Sequence, residues 1–138
     1  MYEIKDNGLL LAIGGRLADI KNGRQFYGQN GDLLQWGTFG LVKGEVLQPH
    51  IHKERNRQGK CKTLEFFVVV EGKLLARYYS HTRRLVSIKE MKAGDFVCLY
   101  DGGHGFKALE TNTKMIEVKL GPFIGVEEDK EKFNDTSL

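Results

Sequence analysis

His50 and His52 stand one residue apart at the end of a strand-like segment that begins at Gly44, and this pair is where the sequence could do chemistry. In an extended strand, residues two apart share a face and lie roughly 7 Å apart, so both imidazoles point into one space. Two imidazoles arranged in that way can share one metal ion. A second strand-like segment carries Glu65 and turns at Glu71-Gly72, and the stretch from Gly44 to Gly72 is the part around which the rest of the chain is organised.

The elements that must position these residues read as short strands. From Gly8 to Gly40, short apolar runs alternate with Gly14-Gly15, Gly23, Gly28 and Asn30-Gly31, the pattern of several short antiparallel strands, with one helical turn over Leu17 to Lys21. Leu64 to Val70 is rich in β-branched and aromatic residues, Glu71-Gly72 is a two-residue turn signal, and Lys73 to Tyr79 runs back, which predicts a hairpin. Further strands are predicted over Leu85 to Met91, Phe96 to Tyr100, Gly105 to Leu109 and Lys114 to Leu120. About eight or nine short strands with almost no helix predict an all-β sandwich or barrel. The charged stretch 127–138 is expected to be a solvated tail or a short terminal helix without chemistry. This leaves one domain over residues 1–126.

With the motifs in order, a family resemblance becomes visible. Gly44, His50-Ile51-His52, Glu65 and Gly72 resemble the first sequence motif of the cupins, and Gly94 to Leu99 followed by Gly102-Gly103-His104 resembles the second. The resemblance covers about residues 33 to 120. It implies an all-β fold, the double-stranded β-helix or jelly-roll barrel of the cupins. It also implies a divalent metal bound inside by His50, His52, Glu65 and His104. The sequence departs from the pattern in two places: twelve residues, Lys53 to Leu64, separate His52 from Glu65 where the family has a much shorter link, and Tyr100 replaces a proline, with His104 one residue early. Glu54 is the alternative carboxylate. Three imidazoles and one carboxylate suit Fe, Mn, Co, Ni, Cu or Zn and leave positions on the ion open to water or substrate.

Strand alternation adds residues to the site. If Glu65 points inward, so should Phe67 and Val69, with Phe66 and Val68 on the other face. Glu117 and Lys119 share a face, either toward water or inside the barrel, where their charges could bind or protonate a substrate; Arg77 and Tyr79 pose the same question. The insertion from Lys53 to Lys62 carries five basic residues against one acid. Such a run is usually solvated, or it is a lid that recruits an anionic substrate.

The totals exclude several classes. A chain of 138 residues with 41% apolar and 28% charged residues can bury one core. A net charge of +3, scattered along the chain, does not describe a nucleic-acid surface. Met1 to Asp6 mixes charges without a long apolar run, which predicts a cytoplasmic protein with no membrane partner. Cys61 and Cys98 lack a CxxC spacing and read as reduced thiols, Cys98 buried.

Three functions remain open. The first is a metal-binding cupin acting on a small polar, anionic or carbohydrate-derived molecule. The runs His50 to His52, Gly102 to Phe106 and Ile116 to Phe123 are similar to those of stand-alone cupins of bacterial surface-polysaccharide pathways. The second is a metal-free sugar-nucleotide ketoisomerase or epimerase, with His50 or His52 as general base and Tyr79 or Tyr100 as acid. The third is a ligand-binding or sensor protein without turnover. The resemblance also implies a homodimer.

Overall fold

The computed structural model describes residues 1–57 and 59–135. Gln58 of the insertion and the last three residues of the expected tail lie outside the described residues. In chain order the elements are β1 (Tyr2–Asp6), β2 (Leu9–Gly14), a 3-10 turn (Leu17–Asp19), β3 (Gly23–Tyr27), β4 (Leu34–Leu41) and β5 (Val46–His52). Then come β6 (Arg55–Asn56), β7 (Lys60–Cys61), β8 (Glu65–Glu71), β9 (Lys73–Tyr79), β10 (Leu85–Lys92) and β11 (Phe96–Leu99). The chain continues with β12 (Gly103–Ala108), β13 (Thr113–Leu120), α1 (Val126–Asp129) and β14 (Lys130–Lys132). The fold is all-β. Two five-stranded antiparallel sheets, ordered β10-β9-β12-β5-β14 and β11-β8-β13-β4-β3, form the two walls.

The inner faces of the walls meet over a core of Phe39, Leu41, Leu47, Phe67, Val69, Leu74, Ala76, Met91, Phe106, Ala108 and Met115. On β8, Glu65, Phe67 and Val69 alternate inward and Phe66 is exposed, as the period of two requires. The expected hairpin at Glu71-Gly72 is corrected. Gly72 has the positive φ of a tight turn, but β8 pairs with β11 and β13 while β9 pairs with β10 and β12. The turn carries the chain from one wall to the other, because Val69 and Leu74 on its two sides both enter the core. Cys98 is also corrected: it is exposed, on the outer face of β11.

One irregularity aims the histidines. On β5, Leu47 and His50 both face inward although they are three residues apart. The pairing of β5 with β12 slips between His104 and Phe106: Leu47 lies opposite Phe106 and His50 opposite His104. The extra residue on β5 is absorbed at Gln48-Pro49, a β-bulge of the sort that redirects side chains beside functional sites. Pro49, which lacks an N–H for the ladder, suits that position. Gly105 makes room for it, since a Cβ there would stand 2.9 Å from Pro49 Cγ. Gly105→Val should therefore destabilise the protein by about 1–3 kcal/mol, read as a lower urea midpoint with an unchanged m-value. A midpoint equal to that of the parent would show that the bulge tolerates a side chain.

Candidate metal centre

Strands β5 and β12 of one wall bring His50, His52 and His104 to the end of the barrel that the apolar core does not fill, and β8 of the other wall brings Glu65. One ligand atom from each of the four residues lies within 4.8 Å of the others. Glu65 Oε2 is 2.8 Å from His104 Nε2 and 3.9 Å from His50 Nε2, and Oε1 is 3.1 Å from His52 Nε2. Despite this proximity, the three Nε2 atoms and Glu65 Oε2 are buried and make no hydrogen bond. Around an ion with bonds of about 2.1 Å, donor atoms stand about 3 to 4.2 Å apart. The observed limit of 4.8 Å exceeds that range by about 0.6 Å and the 2.8 Å contact falls just below it, differences within reach of side-chain adjustment. The residues present fit a divalent metal.

The opposite ring nitrogens are already engaged. His50 Nδ1 donates to the Gln48 carbonyl at 3.1 Å, and His52 Nδ1 donates to Asp129 Oδ2 at 3.0 Å. A proton held at Nδ1 leaves the Nε2 lone pair free for a metal and fixes the plane of the ring. Burial, with help from His104 and Lys130, pushes the His50 pKa down to about 2, so this ring is neutral. Burial acts on His52 in the same direction, but Asp129 and Glu65 outweigh it and raise its pKa. Burial would raise Glu65, yet the contacts with His104 and His52 hold it well below the usual carboxylate range.

Asp129 is the residue beside the cluster that the sequence did not reveal. Of the two expectations for this stretch, the short helix is present as α1, one turn long, whereas the solvated tail is replaced by β14, which pairs with β5, Lys130 opposite His52 and Lys132 opposite His50. The Asp129 carboxylate is buried beneath His52. It also accepts bonds from Arg55 Nη1 at 3.0 Å, from Arg57 Nη2 at 3.4 Å and from the Thr63 hydroxyl. Arg55 further donates to the Pro122 carbonyl at 2.7 Å and Arg57 to the Gly121 carbonyl at 2.8 Å. These contacts correct the two readings of the insertion for Arg55 and Arg57, while Lys53 and Lys60 are exposed as a solvated run would be. Its two arginines are neither solvated nor turned to the substrate side; they anchor the carboxylate that orients His52. The hidden signal was the period of two in Lys130-Glu131-Lys132, followed by Phe133, which is that of a strand rather than a solvated run.

The other expected site residues separate into two groups. Glu117 and Lys119 face inward and pair at 2.9 Å, on the wall of a cavity of about 450 Å³ that opens in front of His50 and Glu65. Burial, reinforced by the charge of Glu65, raises the Glu117 pKa, and Lys119 opposes the rise. Burial lowers the Lys130 pKa, against the pull of Glu65. Tyr79 is corrected. It lies opposite Gly103 on β12 while its neighbour Tyr78 lies opposite His104, so Tyr79 points away from the site. Its hydroxyl donates to Asp135 Oδ2 at 2.5 Å, and Arg77 Nη1 donates to the same oxygen at 3.1 Å. Burial and Asp135 push the phenol up to about 12. Tyr100 is 71% exposed and Glu54 is exposed, so the cluster draws its carboxylate from Glu65.

Comparison with solved structures places this architecture. No protein-family model matches the chain, and no curated protein sequence matches it. KdgF from Halomonas sp. superposes with a TM-score of 0.55 at 21% identity, over 70% of this chain and 76% of that one. A tryptophan-to-phenylalanine variant of oxalate decarboxylase from B. subtilis gives a TM-score of 0.62 at 17% identity, over 85% of this chain and 31% of that one. CapF bound to the inhibitor 3-isopropenyl-tropolone gives 0.62 at 20% identity, over 81% and 32%. The chain thus spans about a third of the two latter proteins. The fold is the double-stranded β-helix of the cupins.

Asp129→Asn keeps the shape of the side chain but removes the charge that holds His52. Metal affinity, measured by competition with a chelator, should fall roughly 10- to 100-fold. Affinity equal to that of the parent would show that Asp129 supports the fold alone.

Proposed function

We propose that this protein holds one divalent transition metal through His50, His52, Glu65 and His104 and acts there on a small polar, anionic or carbohydrate-derived molecule. The observation that carries this reading is the convergence of three buried imidazole nitrogens and a buried carboxylate oxygen, all without hydrogen-bond partners. A protein leaves such a group of lone pairs together where a cation completes them. Four protein donors leave room on an octahedral ion for two further ligands. Bound there, the ion would act as a Lewis acid on an oxygen of the substrate.

The chain's own residues supply the rest. Phe39, Phe67 and Phe106 line the cavity next to the cluster and give it apolar walls. Glu117, paired with Lys119 at 2.9 Å on the cavity wall, stands where its carboxyl can hydrogen-bond to the substrate or exchange a proton with it. Oxalate decarboxylase, by its name, takes a small dicarboxylate, which supports an anionic substrate on this fold.

A homodimer is part of the proposal. Tyr2, Ile4, Leu9 and Leu11 on the hairpin of β1 and β2 are 50 to 67% exposed, and an isolated two-stranded hairpin is at best marginal in water. Packing against a second copy would cover it. Sedimentation at micromolar concentration should give twice the chain mass.

Elemental analysis of protein expressed with supplemented metals should find one transition metal per chain, and His104→Ala should lose it with the fold retained by circular dichroism. Adding back the metal should raise the Tm of the stripped parent protein and leave that of the variant unmoved. Metal-free protein that turns over a sugar nucleotide would instead favour a histidine base.

A further inference from the structure

The cavity in front of His50 and Glu65 holds more positive charge than its own residues neutralise. Arg24, Lys119, Lys130 and Lys132 line it together with Glu65, Glu117 and Asp129. The acids are already engaged: Glu117 pairs with Lys119, Asp129 with His52, Arg55 and Arg57, and Glu65 lies among the three histidines. Among the described residues, the side chains of Lys130 and Lys132 make no ion pair. They sit on one face of β14, Lys130 opposite His52 and Lys132 opposite His50, and so stand beside the histidine pair on the cavity wall. A divalent ion would add further positive charge on the same side.

The rest of the lining is largely apolar, with Asn30, Gln35 and Gln48 as its uncharged polar members. Phe26 and Phe123 stand at the mouth, 56% and 36% exposed, with Val126 beside them, and Lys119 Nζ lies 5.1 Å from the centre of the Phe26 ring. A volume of about 450 Å³ corresponds to roughly fifteen waters at about 30 Å³ each, far more than a bare oxyanion fills. The complement of such a space is a molecule with a charged end and an uncharged body.

We propose that the ligand is a small organic dianion with a ring-sized body, its anionic group bound between Lys130 and Lys132 and its body against Phe26 and Phe123. This deepens the proposed function and rests on it for the added charge of the ion, while the lysine pair stands without the metal. A phosphate monoester and an aromatic dicarboxylate share the required chemistry. Lysine ammonium groups act on either as point charges.

Isothermal titration calorimetry on the full chain loaded with zinc tests the idea with four probes. These are phenyl phosphate and phthalate as ring dianions, inorganic phosphate as the charge without the body, and phenol as the body without the charge. At least one ring dianion should bind tenfold or more tightly than phosphate and phenol, and the better of the two identifies the anionic group. Lys130→Gln and Lys132→Gln should each weaken it about tenfold, and Lys89→Gln, exposed on β10, should not change it. Lys132 is exposed, so its variant keeps the fold even if that of Lys130 does not. The proposal is overturned if neither ring dianion binds at millimolar concentration, if phenol binds as tightly, or if both lysine variants bind like the parent. Metal content measured on the same samples separates the two readings. Lysine-dependent binding to protein that takes up no metal sinks the metal site and leaves the anion site. One metal per chain without lysine-dependent binding does the reverse.

Discussion

Everything else in this structure serves one unfavourable arrangement: three imidazole lone pairs and a carboxylate oxygen directed at a common point in a buried place. Each unpaired buried polar group costs roughly 1–3 kcal/mol, so four of them form a deficit that the chain cannot remove by itself. Rearranging a ring to hydrogen-bond elsewhere is prevented, because Gln48 and Asp129 occupy the Nδ1 atoms of His50 and His52. The cluster is thus held open rather than merely left open. An ion that satisfied all four atoms would turn the deficit into binding free energy and would strengthen the fold along with the site.

Holding the cluster open requires rigidity on both walls. On the histidine side, the bulge at Gln48-Pro49 turns β5 so that Leu47 still packs in the core and His50 still reaches the site, with Gly105 yielding the space. On the other side, Glu65 is carried by a strand whose next inward residues, Phe67 and Val69, are anchored in the core. Phe67 touches both worlds, its ring 5.0 Å from that of Phe106 and 6.2 Å from that of His104. Core and site are one packed unit, and the position of the carboxylate follows from apolar packing.

The sequence made the walls and the His50-His52 pair legible because both obey local rules: alternation in strands, glycines at turns, and histidines spaced to share a face. Glu65 and His104 were legible through the resemblance of their motifs to those of the cupins. It misled wherever the outcome depended on a distant partner. Glu71-Gly72 reads as a hairpin turn from its neighbours alone, yet the burial of Val69 and Leu74 on opposite walls sends the two strands apart. Arg77 and Tyr79 share a face of β9 that the sequence leaves either inside or out, and the register, which local sequence does not set, turns Tyr79 outward beside Asp135. The charged residues of the insertion and of the C-terminal stretch each read as solvated when taken alone. Their meaning lies in their encounter, Arg55 and Arg57 with Asp129 across 74 and 72 residues of chain.

That encounter has a structural logic. An insertion between His52 and Glu65 moves the two halves of the site apart in sequence and introduces two arginines, Arg55 nearly buried, that need a carboxylate near them. Asp129 supplies it, and because the same carboxylate also receives His52 Nδ1–H, the insertion and the C-terminal strand are fixed to the site by a single group. The segment 126–133 therefore pairs a carboxylate with both arginines, orients His52 and lays β14 along β5. The site is complete when the end of the chain is in place, and the strand that completes it is also the one that sets Lys130 and Lys132 at its mouth.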